Sequence, residues 1–194
     1  MIFKKLIYHY FCLLFCVVPV IAWAQNPEIE QLATQVIDGF NESDPDKINA
    51  LLHSDIGLNV VFRRGVAPET ITTRKIDFKR HIPEYLPYEG VDLKAPYTFQ
   101  YTKNLPRFNC DDYSWPQSGL SISPKNSSDL LSLSTSFYEQ EEERINFFRT
   151  LEKNSRVVIA TDSEGISSLV FHLTEIDGKW YLTVLDRASD DCGA

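Results

Sequence analysis

Residues 166–186, ISSLVFHLTEIDGKWYLTVLD, constrain this chain most tightly. Two runs rich in β-branched and aromatic residues flank Asp177-Gly178, a pair suited to the two positive-φ positions of a type I′ hairpin turn. The spacing predicts an antiparallel hairpin, and counting outward from the turn sets its register, with Ile176 opposite Lys179. Leu169, Phe171, Leu173 and Glu175 then share a face with Trp180, Leu182, Val184 and Asp186. Val170, His172 and Thr174 share the other with Tyr181, Thr183 and Leu185. The first is a core face. The second is too polar for a dry core and too apolar for plain surface, which suits a cavity lining or a subunit contact. In this register His172 and Asp186 lie on opposite faces and cannot act in one site.

The rest of the chain supplies layers for such a sheet. Asn26-Pro27 is an N-cap followed by a proline at the first helical position. Ile29, Leu32, Ala33, Val36, Ile37 and Phe40 repeat behind it at helical spacing. Asp44-Pro45 restarts a shorter helix carrying Ile48, Leu51 and Leu52. Residues 58–63 read as a strand. Residues 65–93, punctuated by Pro68, Pro83, Pro87 and Gly90, read as irregular, with strand pieces near Ile76 and Phe78. Tyr97, Phe99 and Tyr101 alternate with polar residues as a strand does, and a short strand is predicted near 119–123. One helix is predicted from beyond Ser128 to Leu151, then a strand at 156–161. This order predicts an α+β fold: N-terminal helices packed on a curved, cone-like antiparallel sheet, with one further helix before the C-terminal strands.

Residues 1–24 carry the marks of a secretory signal peptide. Lys4 and Lys5 precede an apolar run from Phe11 to Ile21, and Ala22-Trp23-Ala24 offers a small-x-small cleavage site. The reading is a periplasmic or secreted protein whose single domain spans 25–194, with no membrane span after cleavage. The chain carries 19 basic and 27 acidic residues, a net charge of −8. Two of the lysines lie in the leader, so cleavage leaves 17 against 27 and moves the charge to −10. That balance argues against nucleic acid and against an anionic membrane surface. Cleavage also leaves two cysteines, Cys110 and Cys192, which an oxidising compartment would join. Closing a loop of about 80 residues stabilises a fold by roughly 4–4.5 kcal/mol on the chain-entropy model.

The N-terminal helix pair and the closing strands, Leu169-Val170-Phe171-His172 and Gly178-Lys179-Trp180-Tyr181-Leu182, resemble the nuclear transport factor two-like (SnoaL-like) superfamily. The likeness is strongest to its secreted bacterial members, whose chains also end in a GKWYL strand and a late cysteine. The resemblance implies helices folded over a curved sheet. The superfamily hosts isomerases, cyclases, dehydratases, transport adaptors and immunity proteins, so the fold does not give the function. Its enzymes use an Asp or His inside the cone, often beside a Tyr.

Three constellations could carry chemistry. His172 sits mid-strand near Tyr181 and Thr183. It reads either as a general base or as a histidine hydrogen-bonded to those neighbours. A Cys110–Cys192 bond would gather Asp111, Asp112, Asp190 and Asp191, with Asp186 a turn away, and a hard cation such as Ca²⁺ would relieve their repulsion. The other reading places these carboxylates in water. Tyr97, Phe99, Tyr101, Phe108, Tyr113 and Trp115 form an aromatic-rich middle that either lines a pocket or packs a core. The basic runs Arg63-Arg64 and Lys79-Arg80-His81 read as solvated edges. No Gly-rich phosphate loop, metal-spaced His or Cys pair, or nucleophile elbow is present, and no cofactor is expected. The leading expectation is a non-catalytic domain that binds a small molecule or an envelope protein, and the mixed sheet face also suits a homodimer contact. The alternative is an acid–base enzyme acting on a small apolar molecule. There His172, Asp186 or Asp112 would titrate, and Tyr97 or Tyr181 would orient the substrate.

Overall fold

The structure is a computed structural model and describes residues 26–123, 128–137 and 141–192. The leader at 1–24 lies outside the described residues. Asn26 Oδ1 accepts hydrogen bonds from the amides of Glu28 and Ile29 and starts α1 (Pro27–Asn41). Asp44 Oδ1 does the same for Asp46 and Lys47 at the head of α2 (Pro45–Asn49). These caps form where the sequence puts a short polar side chain directly before proline.

Seven strands follow: β1 (Leu58–Arg63), β2 (Pro68–Thr73), β3 (Phe99–Tyr101), β4 (Gly119–Ile122), β5 (Ser155–Thr161), β6 (Ser168–Ile176) and β7 (Lys179–Arg187). They form one sheet in the order β2-β1-β7-β6-β5-β4-β3. The sheet is mixed, which corrects the antiparallel expectation. β1 runs parallel to β7, and β3 parallel to β4, while the other pairs are antiparallel. The stretch read as irregular contains β2, whose residues Pro68 to Thr73 pair with Arg63 to Leu58 at the sheet edge. Proline is admissible there, at the first residue of an edge strand. The single helix expected before the last strands is two, α3 (Leu130–Phe137) and α4 (Glu142–Lys153). The buried Glu152 carboxylate of α4 joins them by accepting from the Leu131 and Ser132 amides and the Ser132 hydroxyl.

Strand alternation divides the core cleanly. On one face Leu58, Val60 and Phe62 of β1, Val158 and Ala160 of β5, and Phe171 and Leu173 of β6 cluster with the α1 stripe Ile29, Val36, Ile37 and Phe40. On the other, Val61 and Val184 pack with Leu131, Phe148 and Leu151 of α3 and α4. A third cluster shares that second face, where Val157, Ile159 and Val170 meet Trp115, with Leu105 and Phe108 against them. Among the described residues no helix is long and apolar enough to cross a membrane.

The β6–β7 hairpin turns at Asp177 (φ 50°) and Gly178 (φ 78°), as the turn chemistry requires. Its register follows the simple count only as far as Leu173 opposite Leu182. It then slips: His172 faces Val184, Phe171 faces Leu185 and Val170 faces Asp186. Thr183 is the extra residue of a β-bulge. Beyond the bulge β7 presents its other side, so Leu185 joins the α1 core and Val184 the α3–α4 core.

Buried polar groups hold the bulge. Asn59 of β1 donates from Nδ2 to the Thr183 carbonyl at 3.0 Å and accepts the Thr72 hydroxyl at 2.8 Å. The Thr183 hydroxyl lies 2.5 Å from that of Thr174, which lies 2.7 Å from Ser155 Oγ. Ser155 in turn donates to the Leu151 carbonyl of α4 at 2.7 Å. Asn59→Leu would leave the Thr183 carbonyl and the Thr72 hydroxyl without these partners, so it is expected to cost about 2–3 kcal/mol in urea unfolding. A cost below about 0.5 kcal/mol would show that this clamp does not hold the strand pair.

Candidate functional site

The second sheet face is covered in two places, by α3–α4 and by the loop carrying Leu105, Phe108 and Trp115. Beneath the loop, on this face, lies a cavity of about 570 Å³. Its floor is sheet: Val157 and Ile159 of β5, Val170 and His172 of β6, Asp186 of β7. Its mouth includes Arg63, Lys103, Arg107 and Asp191.

The loop wall is fixed from both ends. The Trp115 amide donates to the Gly165 carbonyl at 2.8 Å. Gly165 takes φ +73°, and a Cβ there would stand 2.6 Å from the Trp115 carbonyl, so only glycine allows this approach. Phe108 meets the Trp115 ring edge-on with centroids 5.5 Å apart. The Cys110–Cys192 disulfide, with Cα atoms 5.6 Å apart across 82 residues, ties the same loop to the chain end. Cys110 itself lines the cavity. Past β7 the chain is pinned by Asp186, whose Oδ1 accepts the Ala188 and Ser189 amides at 2.9 and 3.0 Å and whose Oδ2 accepts the Ser189 hydroxyl at 2.5 Å. Arg63 Nε donates to the Ala188 carbonyl at 3.2 Å.

The bulge puts His172 and Asp186 on one face of the sheet, lining one cavity. This corrects the register that separated them. It also removes the histidine from its expected neighbours. Thr183 bonds to Thr174, and the Tyr181 ring packs edge-on against His53 with centroids 4.9 Å apart. The hydrogen bond expected from His172 to Tyr181 or Thr183 is not formed. The ring is 1% exposed. Three buried side-chain polar atoms have no hydrogen-bond partner among the described residues: both His172 ring nitrogens and Trp115 Nε1. Both residues line this cavity, and neither lines the second large pocket, of about 540 Å³, beside β2. Buried polar groups are almost always satisfied, so these three atoms are exceptions, and the two residues that carry them both line the cavity.

Burial pushes the His172 pKa down to about 4. The imidazole is therefore neutral near pH 7, with one N–H donor and one acceptor nitrogen, and is a weak base. Burial holds the Asp186 carboxyl above the usual carboxylate range, while the Ser189 and Ala188 hydrogen bonds and the Arg63 charge pull the other way.

The remaining expected residues lie elsewhere. The Tyr97 hydroxyl donates to Asp38 of α1 at 2.8 Å, and its pKa is pushed up to about 12 by burial and that carboxylate. It packs with the α1 core, across the sheet from His172. Asp112 accepts the Ser114 hydroxyl on an exposed loop, and among the described residues no tyrosine lines the cavity. The four aspartates around the disulfide do not converge: Asp111 is exposed, Asp190 is turned to the Ser168 hydroxyl at 2.7 Å, and Asp191 is at the cavity mouth. Among the described residues no three His, Cys, Asp or Glu side chains are placed to hold a metal ion. Sequence reasoning grouped Trp115 and Phe108 with the aromatic middle and missed Arg63, Lys103 and Arg107. The signal that could have found the latter two is the disulfide, which marks their loop as covering something near the chain end.

No protein-family model, curated protein or solved structure matches this chain.

The unfolded histidine titrates near 6.5 and the folded one near 4. As pH falls from about 6.5 to 4, the unfolded state takes up a proton that the folded state refuses, so His172 makes the fold progressively less stable, by about 3 kcal/mol in all. A His172→Leu variant lacks this slope. Its stability relative to the parent is expected to rise by that amount across the interval, measured by urea unfolding at successive pH values. A pH-independent difference would show that His172 titrates normally.

Proposed function

We propose that this is an exported, non-catalytic binding protein that takes a small molecule into the cavity between the sheet and the 103–115 loop. The observation that carries the reading is the cavity itself, whose lining sets Val157, Ile159, Val170 and Phe108 beside His172, Asp186 and the charged Arg63, Arg107 and Asp191. A concave site that sets apolar side chains beside polar and charged groups can hold and orient a small molecule, and the volume lies in the usual range. Export to the periplasm or beyond is supported by the leader-like residues 1–24 and by the Cys110–Cys192 bond, since disulfides persist in oxidising compartments.

The acid–base alternative draws on the shared cavity of His172 and Asp186. Two features weigh against it. A histidine with a pKa of about 4 is a poor base at neutral pH. The Asp186 oxygens already accept three hydrogen bonds in the turn that follows β7.

The neutral fluorescent dye N-phenyl-1-naphthylamine tests the binding reading. The protein is expected to bind it saturably at one site and to quench Trp115 emission in a Trp180→Phe background. Leu105→Trp, at the half-buried wall, is expected to abolish dye binding while leaving the melting temperature within a few degrees. Dye binding unaffected by Leu105→Trp, or no binding at all, would contradict the proposal.

A further inference from the structure

We infer that the pocket of about 540 Å³ beside β2 is a second binding site, which takes a small organic anion: an apolar body carrying a negatively charged head group. In the β1–β2 register Val60 faces Ile71 and Leu58 faces Thr73, so the two β2 side chains that line this pocket stand on the α1 face of the sheet. The cavity that contains His172 opens on the opposite face, so the two sites are separate.

The charges set the head group. Arg64 from one short basic run and Arg80 and His81 from the other line this pocket, joined by Lys75. Two carboxylates share the lining, Asp77 and Glu84. Asp77 is engaged: its Oδ2 accepts Arg80 Nε and its Oδ1 the Lys79 amide, each at 2.9 Å. The Arg64 and Lys75 side chains form no ion pair and no hydrogen bond among the described residues. The Arg64 guanidinium lies over the Phe62 ring, 6.0 Å from its centroid. Glu69, on the same face of β2 but outside the pocket, pairs with neither cation. Two uncommitted cations therefore stand against one uncommitted lining carboxylate, Glu84, in a chain of net charge −8. An anion that enters gains charge-assisted hydrogen bonds without first displacing a carboxylate from either cation.

The walls set the body. Ile71 is 41% exposed and Tyr85 59%, and Ile82, Pro83 and the buried Tyr88 extend their apolar surface. The loop wall is held in place: the Tyr85 hydroxyl donates to the Arg63 carbonyl and the Ile82 amide to Tyr88 Oη, both at 3.1 Å. The Tyr88 ring also packs edge-on against Phe40, Phe78 and His81. A wall already ordered loses little freedom on binding. A bare inorganic ion would leave Ile71 and Tyr85 in water, and a neutral molecule would leave Arg64 and Lys75 unused.

The probe is 8-anilino-1-naphthalenesulfonate, which is N-phenyl-1-naphthylamine with a sulfonate added. It is applied to the Leu105→Trp protein, where the larger indole fills the other cavity. The sulfonate is expected to bind saturably and to shift the Ile71 methyl resonances, with the uncharged parent at least tenfold weaker. Arg64→Gln and Lys75→Gln are each expected to weaken it about threefold and together about tenfold, the scale of two exposed charge contacts. Salt at about 0.5 M is expected to weaken it too. Lys153→Gln, which removes a charge from α4 on the opposite face, is expected to change nothing. All three substituted residues are exposed, so each variant is expected to fold. Equal binding of the uncharged parent, indifference to the paired substitution, an equal response to Lys153→Gln, or unmoved Ile71 resonances would overturn the inference. Sulfonate binding that Leu105→Trp abolishes would put the anion in the other cavity, which overturns this site and leaves the binding reading standing. A sulfonate site that behaves as expected in a protein that fails the N-phenyl-1-naphthylamine test supports this site alone.

Discussion

The bulge at Thr183 is the constraint on which the rest of the site depends. A regular hairpin would keep Asp186 on the α1 side of the sheet and His172 on the other. The extra residue turns the end of β7 over, so that Asp186 joins His172 and Val170 while Leu185 drops into the α1 core. The turn that follows, pinned by the Asp186 carboxylate, then delivers Cys192 to Cys110. One inserted residue thus connects the floor of the cavity to its loop wall.

The clamp on that bulge is itself buried and polar. Asn59, Ser155, Thr174 and Thr183 are each at most 4% exposed, and each has a partner. Such a network specifies one register, because every slipped alternative strands its hydroxyls and carbonyls. A short distance along the same strand, His172 breaks the rule that its neighbours obey. Its two ring nitrogens have no hydrogen-bond partner among the described residues, in contrast to the network beside it.

How much of this could be read in advance follows from range. The caps at Asn26 and Asp44, the Asp177-Gly178 turn and the alternation of β1 and β5 are local and could be read directly from neighbouring residues. The Cys110–Cys192 pair was legible because few cysteines remain beyond the leader. β2 was missed because Pro68, Glu69 and a threonine-rich run carry no apolar alternation, and the strand is defined by its partner β1. The parallel β1–β7 pair and the bulge were missed for the same reason. The Asn59 side chain reaches a carbonyl 124 residues away, and no local pattern announces that contact. The orphaned atoms of His172 and Trp115 were illegible in principle, since a missing partner is a property of three dimensions.

The most direct measurement is the cross-strand register of β6 and β7 by nuclear Overhauser contacts. A bulged pair places the Val170 backbone opposite Asp186 and His172 opposite Val184. Contacts between those pairs are the expected result. Contacts from Val170 to Leu185 and from His172 to Thr183 would restore the regular hairpin, return Asp186 to the far face, and contradict the account of the cavity.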